Sequence, residues 1–156
     1  MLPAVPPGVA KSDRRATFFR MDAANAPESL DEIARRFELE MAEGGVRARP
    51  GDVEALHWLA CVYAQVGRYD ESLATDLEVV AKCPDRADFR YDLACSYALL
   101  GRNDEALVEL NRAVDLGFDD EEHLREDPDL AGLRLDPRFA ELLARVDDDD
   151  DAEDEA

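Results

Sequence analysis

The stretch Leu59–Leu73 reads LACVYAQVGRYDESL, and thirty-four residues later Leu93–Leu107 reads LACSYALLGRNDEAL. Ten of the fifteen aligned positions are identical. A sequence that repeats itself at a fixed period of about 20–50 residues is typical of stacked-repeat architectures. The two stretches therefore predict repeated structural units, each of which must stack on a neighbour to bury its apolar face.

Each copy of the period divides into two predicted helices. In the first copy, Leu56, Leu59 and Tyr63 recur at helical spacing and form one apolar stripe. Gly67 is expected to end that helix, because glycine readily takes the left-handed conformation found at helix ends. Asp70 then opens a second helix, where the helix dipole favours a negative charge. The pattern predicts helices near residues 53–66, 69–82, 87–100 and 103–116.

The repeated residues resemble the tetratricopeptide repeat, whose pattern places apolar, small and aromatic residues at set positions over thirty-four residues. The matching residues are Leu56, Leu59, Ala60, Tyr63, Gly67 and Pro84 in the first copy and Leu93, Ala94, Tyr97, Gly101 and Ala106 in the second. The sequence departs from the pattern at Ser72, where alanine is usual, at Asp76, where an apolar residue is usual, and at Arg90. The resemblance implies an all-α fold, a short superhelix of helical hairpins with N- and C-terminal capping helices.

The other segments are expected to flank one repeat domain. The predicted organisation is a flexible N-terminal arm over residues 1–27, a single domain over 28–146 with repeats 53–86 and 87–120 and a cap over 121–146, and a disordered acidic tail over 147–156. Prolines interrupt the arm. The tail holds eight acids and no base, a charge density that opposes folding.

The two ends of the domain are predicted to be capping helices. A helix over residues 28–43, ended by Gly44 and Gly45, is expected to pack on the first repeat. Its apolar stripe comprises Leu30, Ile33, Ala34, Phe37 and Met41. At the other end, the segment 117–139 resembles the one that closes many bacterial tetratricopeptide arrays, and short helices are predicted near 128–133 and 137–146.

Composition excludes several functional classes. The net charge of −20 disfavours nucleic acid and anionic membrane surfaces as partners. No apolar run reaches the roughly 18 residues of a membrane span, and the N-terminus lacks a hydrophobic signal core. Three cysteines do not suggest a disulfide framework. We therefore predict a cytoplasmic protein that binds neither nucleic acid nor membranes.

The sequence offers little support for catalysis. His57 and Cys61 are four residues apart on one helix, and Cys95 is the repeat equivalent of Cys61, so we considered a metal or thiol site. Equivalent positions on stacked helices lie about 8–10 Å apart, beyond the reach of a disulfide. Buried free cysteine is common as a small apolar residue. We predict no enzyme activity, no metal and no cofactor.

The resemblance implies a groove lined by the first helix of each hairpin. The predicted groove residues are Glu54, His57, Trp58, Cys61, Gln65, Asp88, Tyr91, Asp92, Cys95 and Leu99. Trp58, the only tryptophan, either anchors a partner there or packs against the helix 28–43 or the arm. Acidic residues around aromatic side chains favour a basic or amphipathic partner.

Three functions follow from such a groove. The leading prediction is a non-catalytic interaction module or adaptor that binds a peptide or helix. The alternatives are a small cytoplasmic chaperone of a specific client and an accessory subunit of an enzyme complex. The basic, aromatic segment 14–20 of the arm is either unstructured, folded back on the acidic body, or a weak nucleic-acid contact. If this segment folds back on the acidic body, it is a candidate to compete with a partner for the groove.

Overall fold

The computed structural model describes residues 29–153, with side chains through residue 147, and within these bounds the chain is all-α. The helices are α1 (Leu30–Ala48), α2 (Val53–Gln65), α3 (Tyr69–Lys82), α4 (Ala87–Leu99), α5 (Asn103–Asp115), α6 (Glu121–Glu126), the 3-10 helix η1 (Pro128–Leu133) and α7 (Pro137–Glu153). The predicted fold class is confirmed. The arm over residues 1–27 lies outside the described residues. Of the described helices, none combines the length and apolar composition of a membrane span.

The two repeats form consecutive hairpins, α2–α3 and α4–α5, and their helices begin and end within one residue of the predicted bounds. Gly67 and Gly101, one period apart, have φ values of 77° and 70°, which favour glycine. The arginine after each glycine places its guanidinium over a tyrosine ring of the same hairpin, at 4.5 and 4.7 Å from the ring centroid. Tyr63 and Tyr97 are consequently covered on one side by arginine and are only partly buried.

The core runs along the stacked hairpins into the cap. Its largest cluster joins α4 and α5 to the C-terminal elements, and its buried members include Leu107, Leu110, Leu124, Leu130, Leu133, Phe139 and Leu142. A second cluster around Phe89 and Leu93 joins the two hairpins. The C-terminal segment therefore covers the apolar face that α5 would otherwise expose, as expected of a cap.

Helix α1 differs from its prediction in length and in orientation. It continues through Gly44 and Gly45 to Ala48, because Val46 still packs against the core beside α2. The face that contacts α2 carries Ala42 and Leu39. The predicted stripe is instead exposed: Leu30, Ile33, Phe37 and Met41 are 85%, 42%, 61% and 51% accessible. Two apolar faces recur at helical spacing in α1, and the face that includes the small Ala42 is the one packed on α2.

The C-terminal region contains two features that the sequence pattern did not indicate. The short helix α6 precedes the predicted pair, with Asp120 accepting a hydrogen bond from the backbone N–H of His123. Helix α7 continues to Glu153, although an end near residue 146 and a disordered tail from 147 were predicted. Extending an existing helix costs much less free energy than nucleating a new one. Residues 154–156 lie outside the described part.

Candidate partner-binding groove

Helices α2 and α4 lie side by side, and between them is a cavity of about 270 Å³. Helix α3 forms its floor, and η1 closes one end. We call this cleft the α2–α4 groove. Its lining residues are Ala60, Cys61, Ala64, Gln65, Tyr69, Ser72, Asp76, Asp92, Cys95, Ser96, Leu99 and Asp129. The lining therefore combines small and apolar side chains with three carboxyl groups, and it includes neither lysine nor arginine.

A buried chain of polar groups runs beneath the floor of the groove. The hydroxyl of Ser72 donates to the carbonyl oxygen of Ala60 at 2.9 Å and lies 2.9 Å from the hydroxyl of Ser96. Ser96 Oγ in turn lies 2.6 Å from Oδ2 of Asp76. Asp76 is only 3% accessible, and burial raises the pKa of its carboxyl group to about 7.

Two opposing effects act on the pKa of the Asp76 carboxyl group. Burial, the larger effect, disfavours the carboxylate and raises the pKa, whereas the hydrogen bond that the hydroxyl of Ser96 donates to Oδ2 lowers it. The resulting pKa of about 7 keeps a substantial fraction of Asp76 protonated near neutral pH.

His57 and Asp92 link the two walls of the groove. Nε2 of His57 on α2 lies 2.7 Å from Oδ2 of Asp92 on α4. This hydrogen bond, with a smaller contribution from Cys61, raises the pKa of His57 to about 10. His57 is therefore an imidazolium ion at neutral pH, and its charge balances that of Asp92. The carboxylate of Asp92 is consequently a weaker attractant for a cationic partner than its position suggests.

The cap supplies the carboxyl groups at the closed end of the groove. Asp127 accepts a hydrogen bond from the backbone N–H of Asp129 at 2.8 Å and another from the hydroxyl of Tyr91. Cys95 Sγ lies 3.9 Å from the same carboxylate. Burial and the charge of Asp127 raise the pKa of Asp129 and that of the Cys95 thiol. The C-terminal segment, predicted only to seal the array, therefore contributes charge to the groove.

The structure separates nine of the ten predicted groove residues into three groups, and the tenth, Tyr91, is buried. Cys61, Gln65, Asp92, Cys95 and Leu99 line the cavity, and His57 adjoins it through its bond to Asp92. Glu54 and Asp88 both contact Arg86, outside the cavity lining. Trp58 is 44% accessible, and by helical spacing it lies on α2 between the residues that line the cavity and those that pack on α1.

Tyr91 does not have the position expected of a groove anchor. Its side chain is only 5% accessible, and its ring stacks on Phe118 with the centroids 4.5 Å apart. The hydroxyl is held by Asp127. The cap covers Tyr91 because the loop after α5 places Phe118 directly against α4. The aromatic contact area available to a partner beside the groove is therefore that of Trp58 and Tyr69.

Several groove residues were not predicted as site residues. Ser72 and Asp76 were recognised only as departures from the repeat pattern, although their spacing of four places them on one face of α3. Two polar residues that depart from the repeat pattern on the same face of a helix are a signal that could have identified the floor of the α2–α4 groove. Asp127 and Asp129 reach the groove only through the tertiary position of the cap, which repeat spacing does not indicate.

The histidine and cysteine residues singled out in the sequence were compared with metal and thiol sites. No group of three or more His, Cys, Asp or Glu side chains among them has the geometry to hold a metal ion. Cys61, Cys83 and Cys95 are free thiols. Cys61 Sγ lies 3.6 Å from Nε2 of His57, the same nitrogen that bonds Asp92. A thiol–imidazole–carboxylate triad uses both ring nitrogens, so this arrangement does not resemble one.

A comparison with protein families matches residues 87–118 to the tetratricopeptide repeat. Residues 87–118 are a tetratricopeptide repeat. The matched segment covers α4 and α5, and the thirty-four-residue identity extends the same unit to α2 and α3. No protein of curated function matches this repeat protein.

Solved structures of MamA share its fold. MamA MSR-1 C2 aligns with a TM-score of 0.58 and 22% identity, covering 75% of the present chain and 70% of MamA. A second crystal structure of MamA aligns with a TM-score of 0.62 and 13% identity, and the alignment covers 78% of the present chain and 72% of that one. MamA AMB-1 aligns with a TM-score of 0.55 and 23% identity, and the alignment covers 76% of the present chain and 63% of that one. These similarities show an all-α helical-repeat fold.

Proposed function

We propose that the repeat protein binds a peptide or helix in the α2–α4 groove, and that the bound segment inserts a lysine or arginine side chain into the cavity. The observation that carries this proposal is the lining of the cavity. Asp76 lies in its floor and Asp129 at its closed end, and the described lining residues contain no lysine or arginine to neutralise them.

The shape of the cavity suits a long cationic side chain. Ala60, Ala64 and Leu99 supply apolar surface against which a methylene stem can pack. The cationic end group would then lie near the carboxyl groups of Asp76 and Asp129. A cation near Asp76 favours its ionised form, so binding is expected to release the proton that Asp76 holds in the empty groove. The cost of burying the cation is thereby reduced, because it is paired with a newly formed carboxylate.

The surroundings of the cavity favour a basic segment over an acidic one. The chain carries a net charge of −20, which raises the association rate of cationic partners and is screened by salt. Trp58 is exposed beside the groove and offers a rigid aromatic surface to neighbouring residues of the partner. We infer a binding role without catalysis, in a cytoplasmic setting where the thiols stay reduced.

A peptide array tests this proposal. Each lysine-containing peptide is paired with a copy in which the lysine is acetylated, which removes the charge and retains the stem. We expect the repeat protein to prefer the unmodified member of each bound pair. Asp76→Asn and Asp129→Asn should each reduce that preference. Glu78→Gln serves as the matched control, since Glu78 is exposed on α3 and pairs with Lys82 away from the cavity.

Two results would count against the groove as the cation site. The first is equal binding of charged and acetylated peptides by the wild-type protein. The second is an undiminished preference in both aspartate variants, which would place the binding surface outside the cavity. Raising the salt concentration should weaken binding to the charged peptides and leave the acetylated ones nearly unaffected.

A further inference from the structure

The cavity of the α2–α4 groove is lined by a carboxyl oxygen that no described residue uses. Among the described residues, only the hydroxyl of Ser96 hydrogen-bonds to the side chain of Asp76, and it does so at Oδ2. Every described side-chain oxygen or nitrogen that is fully buried has a hydrogen-bond partner. Oδ1 of Asp76 has no such partner and is therefore open to the cavity, although the residue is only 3% accessible. One oxygen of an almost fully buried carboxyl group is thus available to a ligand.

A second carboxyl group, that of Asp129, lies at the closed end of the cavity and has no partner among the described residues. Only the backbone N–H of Asp129 is engaged, as a donor to Asp127, and burial and the charge of Asp127 raise the pKa of the Asp129 carboxyl group. The third carboxyl group in the lining, that of Asp92, is paired with the imidazolium ion of His57. Two carboxyl groups on different elements, α3 and η1, are therefore left to bind the cations of a ligand.

The geometry at Asp76 favours an ammonium group over a guanidinium group. A guanidinium group pairs best with a carboxylate when its two parallel N–H groups reach both oxygens. Here the hydroxyl of Ser96 already bonds Oδ2, and only Oδ1 is open. An ammonium group requires one oxygen, and its other N–H groups can use separate acceptors. Gln65 and Tyr69 line the same cavity and carry an amide oxygen and a hydroxyl that can accept them.

The volume of the cavity limits how the two cations can be connected. At about 270 Å³ it lies just below the usual range of ligand pockets, about 300–1,000 Å³, so it accommodates only a small ligand. Two separate basic side chains, each with its own stem, would compete for this space. An aliphatic chain with an ammonium group at either end has a single stem, which can pack on Ala60, Ala64 and Leu99.

We propose that the cavity binds two ammonium groups joined by a short aliphatic chain, one at Asp76 and the other at Asp129. This chemistry is found in free linear diamines and in a lysine at the N-terminus of a protein, whose α- and ε-ammonium groups are joined by a short carbon chain. The inference rests on the cation site of the proposed function and adds a second charge, a preference for ammonium and a limit on size. A lysine inside a peptide chain satisfies only one of the two carboxyl groups, so an N-terminal lysine should bind more tightly.

Calorimetric titration of the full-length chain with linear diamines of three to eight carbon atoms tests the second charge. Each diamine is paired with its monoacetylated derivative, which keeps the stem and carries one charge fewer. At the best length we expect one diamine per chain, bound at least about tenfold more tightly than the derivative, because it makes a second charge-assisted hydrogen bond.

Three variants of the chain locate the binding of the diamine. Asp76→Asn and Asp129→Asn should each remove most of the advantage of the diamine over its derivative, whereas Glu78→Gln, which also removes a carboxylate from α3, should retain it. Asp129 is only partly buried, so its variant should keep the wild-type helical circular dichroism and remains informative if Asp76→Asn alters the fold.

Two peptides distinguish the sources of the ammonium pair. Both begin with lysine, and the second has an acetylated N-terminus. Tighter binding of the first peptide would support a protein N-terminus as the ligand, and a preference confined to the diamines would support a free diamine.

Two results would overturn the proposal. The first is that acetylation of one amine changes the affinity of neither the diamines nor the peptide; if the array still shows a preference for lysine that depends on Asp76, the proposed function would stand without this inference. The second is that diamines bind equally well to both aspartate variants, which would assign them to the acidic surface. If diamines bind as expected and the array shows no preference for lysine, the peptide function fails and the diamine site remains.

Discussion

Replacing Asp76 with asparagine should make the stability of the protein less dependent on pH. Asp76 is 3% accessible, its burial favours the neutral carboxyl group, and it accepts a hydrogen bond from the hydroxyl of Ser96. The side-chain carbonyl oxygen of asparagine can accept the same hydrogen bond from Ser96, but asparagine cannot ionise. The variant therefore mimics the protonated state at every pH.

The magnitude follows from the raised pKa of Asp76, about 7 in the folded chain against an ordinary value of 3.8. Between these values the folded chain holds a proton that the unfolded chain has lost, so wild-type stability falls as the pH rises from about 4 to about 7. Each pKa unit corresponds to about 1.4 kcal/mol, which gives a loss on the order of 4 kcal/mol. Above pH 7 this contribution is constant.

Denaturant unfolding of both proteins at a series of pH values measures the effect. The free energy of unfolding of Asp76→Asn minus that of the wild type should increase by several kcal/mol between pH 4.5 and pH 7.5. His57 titrates in both proteins, so its own contribution, which is lost as the pH rises from about 6.5 towards 10, cancels in the difference. Glu78→Gln should show a difference that is nearly flat over the same range. If the difference in free energy of unfolding between Asp76→Asn and the wild type does not change with pH, Asp76 is not a neutral carboxyl group in the floor of the α2–α4 groove.

Two other substitutions test the packing and the charges of the hairpins. Leu93→Ala should lower the free energy of unfolding by about 2–5 kcal/mol, because Leu93 is 1% accessible, whereas Leu135→Ala at a 97% accessible position should change it by less than about 0.5 kcal/mol. Glu109→Gln weakens a largely buried pair with Arg90, and we expect the free energy of unfolding to fall by about 1–3 kcal/mol. Glu105→Gln weakens an exposed pair with Arg102, and we expect a much smaller loss. Equal effects within either pair of variants would contradict the burial on which they are based.

The repeat helices could be predicted closely because their determinants are local. The spacing of Leu59 and Tyr63 fixes the apolar stripe, and Gly67 has the positive φ that ends the helix. The packed face of α1 could not be predicted from residue spacing, because two of its faces carry apolar residues at helical spacing. Only the tertiary contact of Ala42 with α2 decides between them, and its small side chain gives a weak signal in the sequence.

The groove was predicted only in part for a related reason. Positions on α2 and α4 that flank the apolar stripe could be identified from spacing, and Cys61 and Asp92 do line the cavity. The hydrogen bonds and charges of the groove residues could not be predicted, because they depend on partners that are distant in sequence. His57 bonds Asp92 thirty-five residues away, and Tyr91 bonds Asp127 thirty-six residues away in the cap. Tyr91 is therefore not available as an aromatic anchor, and the charge of Asp92 is balanced by His57.

Proton release on binding is the measurement that tests the proposed cation site most directly. A lysine peptide selected on the array is titrated into the wild-type protein and into Asp76→Asn by calorimetry at pH 6, in buffers that differ in ionisation enthalpy. A cation that enters the cavity should displace the stored proton, so the wild type should release close to one proton per peptide and Asp76→Asn close to none. Binding that releases no proton, or the same number from both proteins, would contradict the entry of a cationic side chain beside Asp76.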